Sequence, residues 1–242
     1  MKQLTFLLLL LTSYRLFGQD NVSIAPDLKR VLIGFSVSPN ICYRTLEVND
    51  GSSSSASIVK SRNENETVKL GYSAGLNMCI NLKKSFSIEA GIQYSNKGFR
   101  TKMMILNPLQ PDPFSPNQAK IIHNFHCFDI PIKANFTTDE GKIRVFTSVG
   151  LTANFFIKET ATSVLVFSDH TDRKTRLTSE SDSYNKLNIS PTMSAGVDYR
   201  INEKMNLRIE PTFRYGVLKI IDMPVTGYLY SGGINVAYYY GL

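Results

Sequence analysis

Between Thr67 and Tyr94, apolar residues alternate with small or polar ones so strictly that only an extended chain can use the pattern. Leu70, Tyr72, Ala74, Leu76, Met78, Ile80 and Leu82 hold one parity, with Gly71, Ser73, Gly75, Asn77, Cys79 and Asn81 between them. After Lys83-Lys84-Ser85 the alternation resumes with Phe86, Ile88, Ala90, Ile92 and Tyr94. Successive side chains of a strand point to opposite faces, so this is a hairpin with one apolar and one polar face. Each arm outruns the roughly 5–6 residues usual for a soluble strand, whereas about 9–11 tilted residues cross a bilayer. The pattern predicts a transmembrane β-barrel.

The same grammar runs through the rest of the chain. A first strand spans about Val31 to Leu46, and Glu47 to Glu66, with Gly51-Ser52-Ser53-Ser54-Ser55, reads as a flexible, solvated loop. The third strand has room to run on to Lys102 past a bulge at Gly98. Asn107 to Gln118 carries Pro108, Pro111, Pro113 and Pro116 and cannot be ladder. A fourth strand covers about Ile121 to Phe136, Thr137 to Gly141 is a short connection, and a fifth strand follows from Lys142. A third long loop covers about Thr160 to Ser183, within which Val164 to Phe167 is apolar enough to extend a strand. Strand six runs from Tyr184 to Ile201, Asn202-Glu203-Lys204 turns the chain, and strand seven carries Met205 to Val217 in phase. Asp222 to Gly227 leads into strand eight from Tyr228. The expected fold is therefore all-β: an eight-stranded antiparallel up-and-down transmembrane barrel over 31–242. Its connections alternate long and short, as extracellular loops and periplasmic turns do in outer-membrane barrels.

The N-terminus agrees. Lys2, the apolar run Leu4 to Leu11, then Thr12, Ser13 and Gly18 form a basic start, an apolar core and a small-residue cleavage region. Residues 1–19 read as a cleaved secretory signal and 20–30 as a periplasmic lead-in broken by Pro26. The signal carries Lys2 and Arg15 and no acid, so the formal charge of +7 falls to 25 − 20, or +5, in the mature chain. The basic residues are scattered among acids, which argues against a nucleic-acid partner. Cys42, Cys79 and Cys127 are an odd number, which excludes a complete disulfide framework; each reads as a small buried thiol, with one disulfide as the alternative.

Two observations aim the apolar face at lipid. Aromatics gather at both ends of the strands: Phe86, Phe136, Tyr199, Tyr238 and Tyr240 at the short-turn end, Tyr43, Tyr94, Phe155, Tyr215 and Tyr228 at the other. Interfaces favour two such girdles. The opposite parity carries Glu89, Asp129, Lys133, Asp198, Arg208, Glu210 and Arg214 mid-strand. In a membrane barrel these charges form an interior, structural network, because a buried charge must be paired. A three-residue turn between Ile201 and Met205 sets Asp198 opposite Arg208 and Gly196 opposite Glu210. Eight strands leave an interior that side chains fill, so an open pore is not expected.

Gly71-Tyr72-Ser73-Ala74-Gly75-Leu76-Asn77, Phe128-Asp129-Ile130-Pro131-Ile132-Lys133 and Ala195-Gly196-Val197-Asp198-Tyr199 resemble the PorT-like outer-membrane β-barrel proteins of Bacteroidetes, as does the signal ending Phe17-Gly18-Gln19. The resemblance covers most of the mature chain. It implies an eight-stranded barrel in the outer membrane but no shared activity, although one member of that family is linked to protein secretion. Members of such barrels usually end in an aromatic residue; this chain ends Tyr240-Gly241-Leu242.

Catalytic chemistry is hard to find. His123 and Cys127 share a strand face while His126 points the other way, so only two ligands converge where zinc wants three or four. No Gly-x-Ser-x-Gly elbow, phosphate loop or His-Glu-x-x-His is present. The expectation is a monomeric, non-enzymatic protein of the outer membrane. It needs no metal and no cofactor, contacts outer-membrane lipid, and meets a protein partner through its extracellular loops. The alternative is a soluble periplasmic barrel of lipocalin type, whose apolar parity would line a cavity for a small apolar ligand.

Overall fold

The computed structural model describes residues 30–106, 115–138, 141–167, 171–179, 184–221 and 223–242. The proposed signal, 1–19, and all of the lead-in except Arg30 lie outside these, as does most of the proline-rich segment. Eight long strands carry the fold: β1 (Val31–Val48), β2 (Lys69–Lys83), β3 (Phe86–Thr101), β4 (Gln118–Thr137), β5 (Ile143–Val166), β6 (Leu187–Arg200), β7 (Met205–Tyr215) and β8 (Val225–Gly241). Each is antiparallel to the next in sequence, and β1 also pairs with β8, so the sheet closes into an eight-stranded ring. Closure removes every edge within the ring, which satisfies the backbone without water.

Which face points where follows from accessibility along each strand. Phe35 is 52% exposed, Ile132 56% and Leu76 64%, while the residues beside them, Ser36, Lys133 and Asn77, are buried. The apolar parity therefore faces outward as a continuous band and the polar parity fills the lumen. A contiguous apolar belt around the whole circumference belongs in lipid. A lipocalin-type apolar cavity is overturned by this inversion. The band has the expected rims. Phe86 packs at a tilt against Phe136 with ring centroids 5.2 Å apart at the short-turn end. At the other end Tyr94 pairs with Phe128, which pairs with Phe155. Eight residues of β4 separate the two rows, about 27 Å of strand or ~20 Å of height once tilted.

The connections depart from the sequence reading in instructive places. The segment expected to be a flexible loop holds a helix, α1 (Ser53–Asn65). Ser52 caps it: its hydroxyl accepts from the Ser55 N–H at 3.1 Å, while Asp50 accepts from the Ser52 N–H at 3.0 Å and the Ser55 hydroxyl at 2.9 Å. The Ser52 N–H and the Ser55 hydroxyl hold the exposed Asp50 carboxyl below the usual carboxylate range. A serine run thus acts as a capping device rather than a linker. β5 runs without a break through 160–163, read as loop, into the Val164 extension that the sequence allowed and on to Val166, and Arg173–Ser179 folds back on it as a short flap strand. The ladder also takes in residues read as loop at other ends: Gln118 opens β4 and Val225 opens β8, while β6 starts later, at Leu187. Gly98 has a φ of +141° but leaves the β3–β4 register unbroken; the register shifts instead between β4 and β5, at His126/Cys127, and between β2 and β3, at Asn81/Lys83.

Candidate functional site

Side chains of the inward parity meet where eight strands converge. Arg208 of β7 pairs with Asp198 of β6 across the ladder, and its Nη2 lies 3.3 Å from Asp198 Oδ2. Its Nη1 reaches Glu89 Oε2 of β3 at 2.7 Å. Because β3 and β7 are four places apart in an eight-strand ring, that contact crosses the full width of the lumen. Lys133 of β4 bridges Glu89 at 3.1 Å and Glu210 at 2.7 Å, and Arg144 of β5 holds Asp198 at 2.7 Å. Ser194 and Asn235 donate to Glu210 at 2.6 and 2.8 Å. The guanidinium of Arg208 also lies over the rings of Phe146 and Tyr239, 4.6 and 4.8 Å from their centroids. Lys133, Arg144 and Arg208 carry three positive charges, and Glu89, Asp198 and Glu210 three negative ones, so this cluster is neutral. Low-dielectric surroundings strengthen every one of these pairs and would make any unpaired member costly.

Of the seven charges picked out by parity, all are buried. Five of them join the cluster just described. Asp129 stands apart, 2.9 Å from Lys97 and accepting from Asn154 at 2.7 Å. Arg214 stands apart too. It lines a small cavity of about 40 Å³ with Lys97, Asn154, Ser190 and Ser231, and its Nε has no hydrogen-bond partner among the described residues. Two members of the lattice were missed. Arg144 alternates with Ile143 and Val145 and was legible by parity; Lys97 follows Ser95-Asn96, where the alternation lapses. Cys42, Cys79 and Cys127 are buried, inward-facing free thiols.

Toward the long-loop end the lumen turns aromatic. Arg44 Nε and Nη2 hold Glu66 in a two-pronged pair at 2.9 and 2.5 Å, and its guanidinium sits 3.6 Å above the Phe99 ring. His123 stacks on the same ring at 4.5 Å, with Nδ1 2.6 Å from Glu159 Oε1. Tyr184 donates its hydroxyl to Glu159, and burial together with that carboxylate pushes the phenol well up. Phe125 and Phe156 pack edge-on and tilted against Tyr184, 5.7 and 5.0 Å away. Above this plug opens a cavity of about 420 Å³ lined by Ile58 and Arg62 of α1 with Phe99, Glu159, Tyr184 and Ile221. His126 lies on the outer wall beside the Tyr94 hydroxyl, away from His123 and Cys127.

A closed ring, a lipid-facing band and a charged, filled lumen are joined by one comparison that decides the family. The model of the outer membrane protein beta-barrel domain matches residues 17–222. The chain belongs to that family. It is an outer-membrane β-barrel protein, with its long-loop end outward and its short turns facing the periplasm. No curated protein matches it. Among solved structures, Neisserial surface protein A is 12% identical with a TM-score of 0.45, over 88% of this chain and 97% of that one. OprG from Pseudomonas aeruginosa is 12% identical with a TM-score of 0.39, over 87% and 97%. Ail of Yersinia pestis is 10% identical with a TM-score of 0.35, over 85% and 97%.

Proposed function

We propose that this protein is a closed, non-enzymatic, monomeric barrel whose role is to present its extracellular end to a protein partner. The Arg208–Glu89 ion pair across the lumen supports this reading most strongly, because side chains that meet across the full bore fill the narrow interior of an eight-stranded barrel. The aromatic plug around Tyr184 reinforces it from above. In this reading the seven inward charges are structural, and the accessible protein chemistry lies in α1, the flap strand and the cavity that Ile58 and Arg62 of α1 line above the plug. Membership of the PorT-like group of Bacteroidetes, export through a signal at 1–19 cleaved near Gly18–Gln19, and an association with protein secretion complete the proposal.

Planar-bilayer recording tests the closed lumen: purified barrel should insert without single-channel steps. Regular open-pore conductance would refute it. The partner role is tested by deleting 52–65 or 171–181 in the native host and cross-linking intact cells. Loss of a cross-linked partner with the heat-shifted barrel band retained is the expected result. Unchanged partners and phenotype in both deletions would end the proposal.

A further inference from the structure

The outer wall above the aromatic girdle is not uniform around the ring. In register, Tyr94, Phe128 and Phe155 form the girdle on β3, β4 and β5, and the next outward row is Asn96, His126 and Lys158. Four residues higher on β4, Arg100, Ile122, Thr162 and Arg176 share one row; above it come Lys120, Val164 and Lys174. Paired residues share a face, so Arg100, Lys120, Lys158, Lys174 and Arg176 all stand on the outside of the wall. No carboxylate stands in these rows among the described residues. The Arg100 guanidinium is braced by the Val68 carbonyl, which accepts from its Nε at 3.0 Å. On the opposite wall the matching level is Tyr215, Tyr230 and Tyr43, then Tyr228 with Thr45, and Glu47 is the one charge in those rows among the described residues.

A one-sided basic ladder that begins at the girdle faces the head groups of the outer leaflet. Its height identifies which head groups. The rows stand roughly 7, 20 and 27 Å of strand above Phe128, about 5 to 20 Å of height after tilting. The head-group layer of a simple phospholipid is only about 5–7 Å deep on each side. We propose that this strip on β3, β4, β5 and the flap binds the phosphates of a large phosphorylated glycolipid in the outer leaflet. The reading goes beyond the closed-barrel proposal: it needs only the outer-membrane placement of the fold. The strip orients the barrel in its leaflet, with the tyrosine wall left toward uncharged neighbours.

The test uses the mature chain folded into nanodiscs of neutral lipid doped with a diphosphorylated glycolipid, its dephosphorylated form, or phosphatidylglycerol. Lipid retained on the affinity-purified, detergent-exchanged barrel is read by mass spectrometry, with the heat-dependent gel shift reporting folding. The wild type should retain the diphosphorylated glycolipid at least about tenfold over both others, given a factor of roughly five per basic side chain near an anionic surface. Retention should fall steeply with salt. K120Q/K158Q/K174Q/R176Q should lose the preference while keeping the gel shift, and E47Q on the opposite wall should not. Equal retention of the phosphorylated and dephosphorylated forms by the wild type overturns the proposal even if the quadruple variant misfolds. So does competition by phosphatidylglycerol at parity. A wild type without a gel shift would instead refute the membrane placement.

Discussion

Replacing Arg208 by Met removes the guanidinium that joins Asp198 of β6 to Glu89 of β3 across the lumen. Its partners do not become wholly unpaired: Glu89 keeps Lys133 at 3.1 Å, and Asp198 keeps Arg144 at 2.7 Å. The cluster, neutral at three charges of each sign, becomes −1 in a site where the side chains of Arg208 and Glu89 are 4% and 2% exposed. Solvent screening therefore gives little relief. Breaking a buried pair from one side costs about 3–5 kcal/mol, and the surviving cations place Arg208→Met near ~3 kcal/mol. Glu89→Gln alone should cost somewhat less, since Arg208 retains Asp198 and Lys133 retains Glu210. The double variant restores neutrality, so its loss should fall short of the sum by about 2 kcal/mol, the worth of a charge-assisted bond. Equilibrium urea unfolding from lipid vesicles measures this, read by tyrosine fluorescence (the chain has no Trp) and by the heat-shifted gel band. If the two single losses add within about 0.5 kcal/mol, the cross-lumen pair is not an energetic unit and the reasoning fails.

Three further outcomes are expected. Ile132, 56% exposed and midway between the girdle residues Phe128 and Phe136, should lose about 2–4 kcal/mol when changed to Lys; vesicle unfolding unaffected by this charge would mean the band is not in lipid. Gly98→Ala should cost about 1–3 kcal/mol, because φ is +141° and a Cβ would stand 2.0 Å from the His123 carbonyl; refolding yield equal to wild type would show that β3 and β4 relax freely there. Ser52→Ala should weaken α1 by about 1 kcal/mol, seen as lost amide protection at Ser55. Asp50 adds a pH dependence to the same cap. Its folded-state value is depressed, so its contribution is complete above the ordinary carboxylate range and disappears as pH falls through the lowered value. Protection at Ser55 that is flat down through strongly acidic pH would remove Asp50 from the cap.

How much of this was legible depended on the range of the interactions. Strand parity, the facing of each strand and the Asp198–Arg208 pair all arise within one strand or one hairpin. There a side-chain period of two and a three-residue turn fix geometry over a few residues. Arg144 belonged to the same class, alternating with Ile143 and Val145. α1 was not legible because Gly51-Ser52-Ser53-Ser54-Ser55 has the composition of a linker. Its order comes from specific hydrogen bonds of Asp50 and Ser52 that composition does not reveal. The polar stretch 160–163 of β5 was read as loop for another reason: its outer residues Thr160 and Thr162 are stabilised by the flap pairing alongside, not by lipid.

The partners across the bore belong to a different scale. Arg208 and Glu89 are 119 residues apart, Lys133 and Glu210 are 77 apart, and Arg44 finds Glu66 from a strand through a helix. An alternating pattern says that these groups point inward and must be paired, since an unpaired charge there is prohibitive. It cannot say with whom. That depends on β1 meeting β8 to close the ring, because closure and stagger set which rows face each other at what distance. Local periodicity made this chain an outward-greasy, inward-polar barrel; ring closure chose the ion pairs that fill it, the plug above them and the side of the wall that carries the basic ladder.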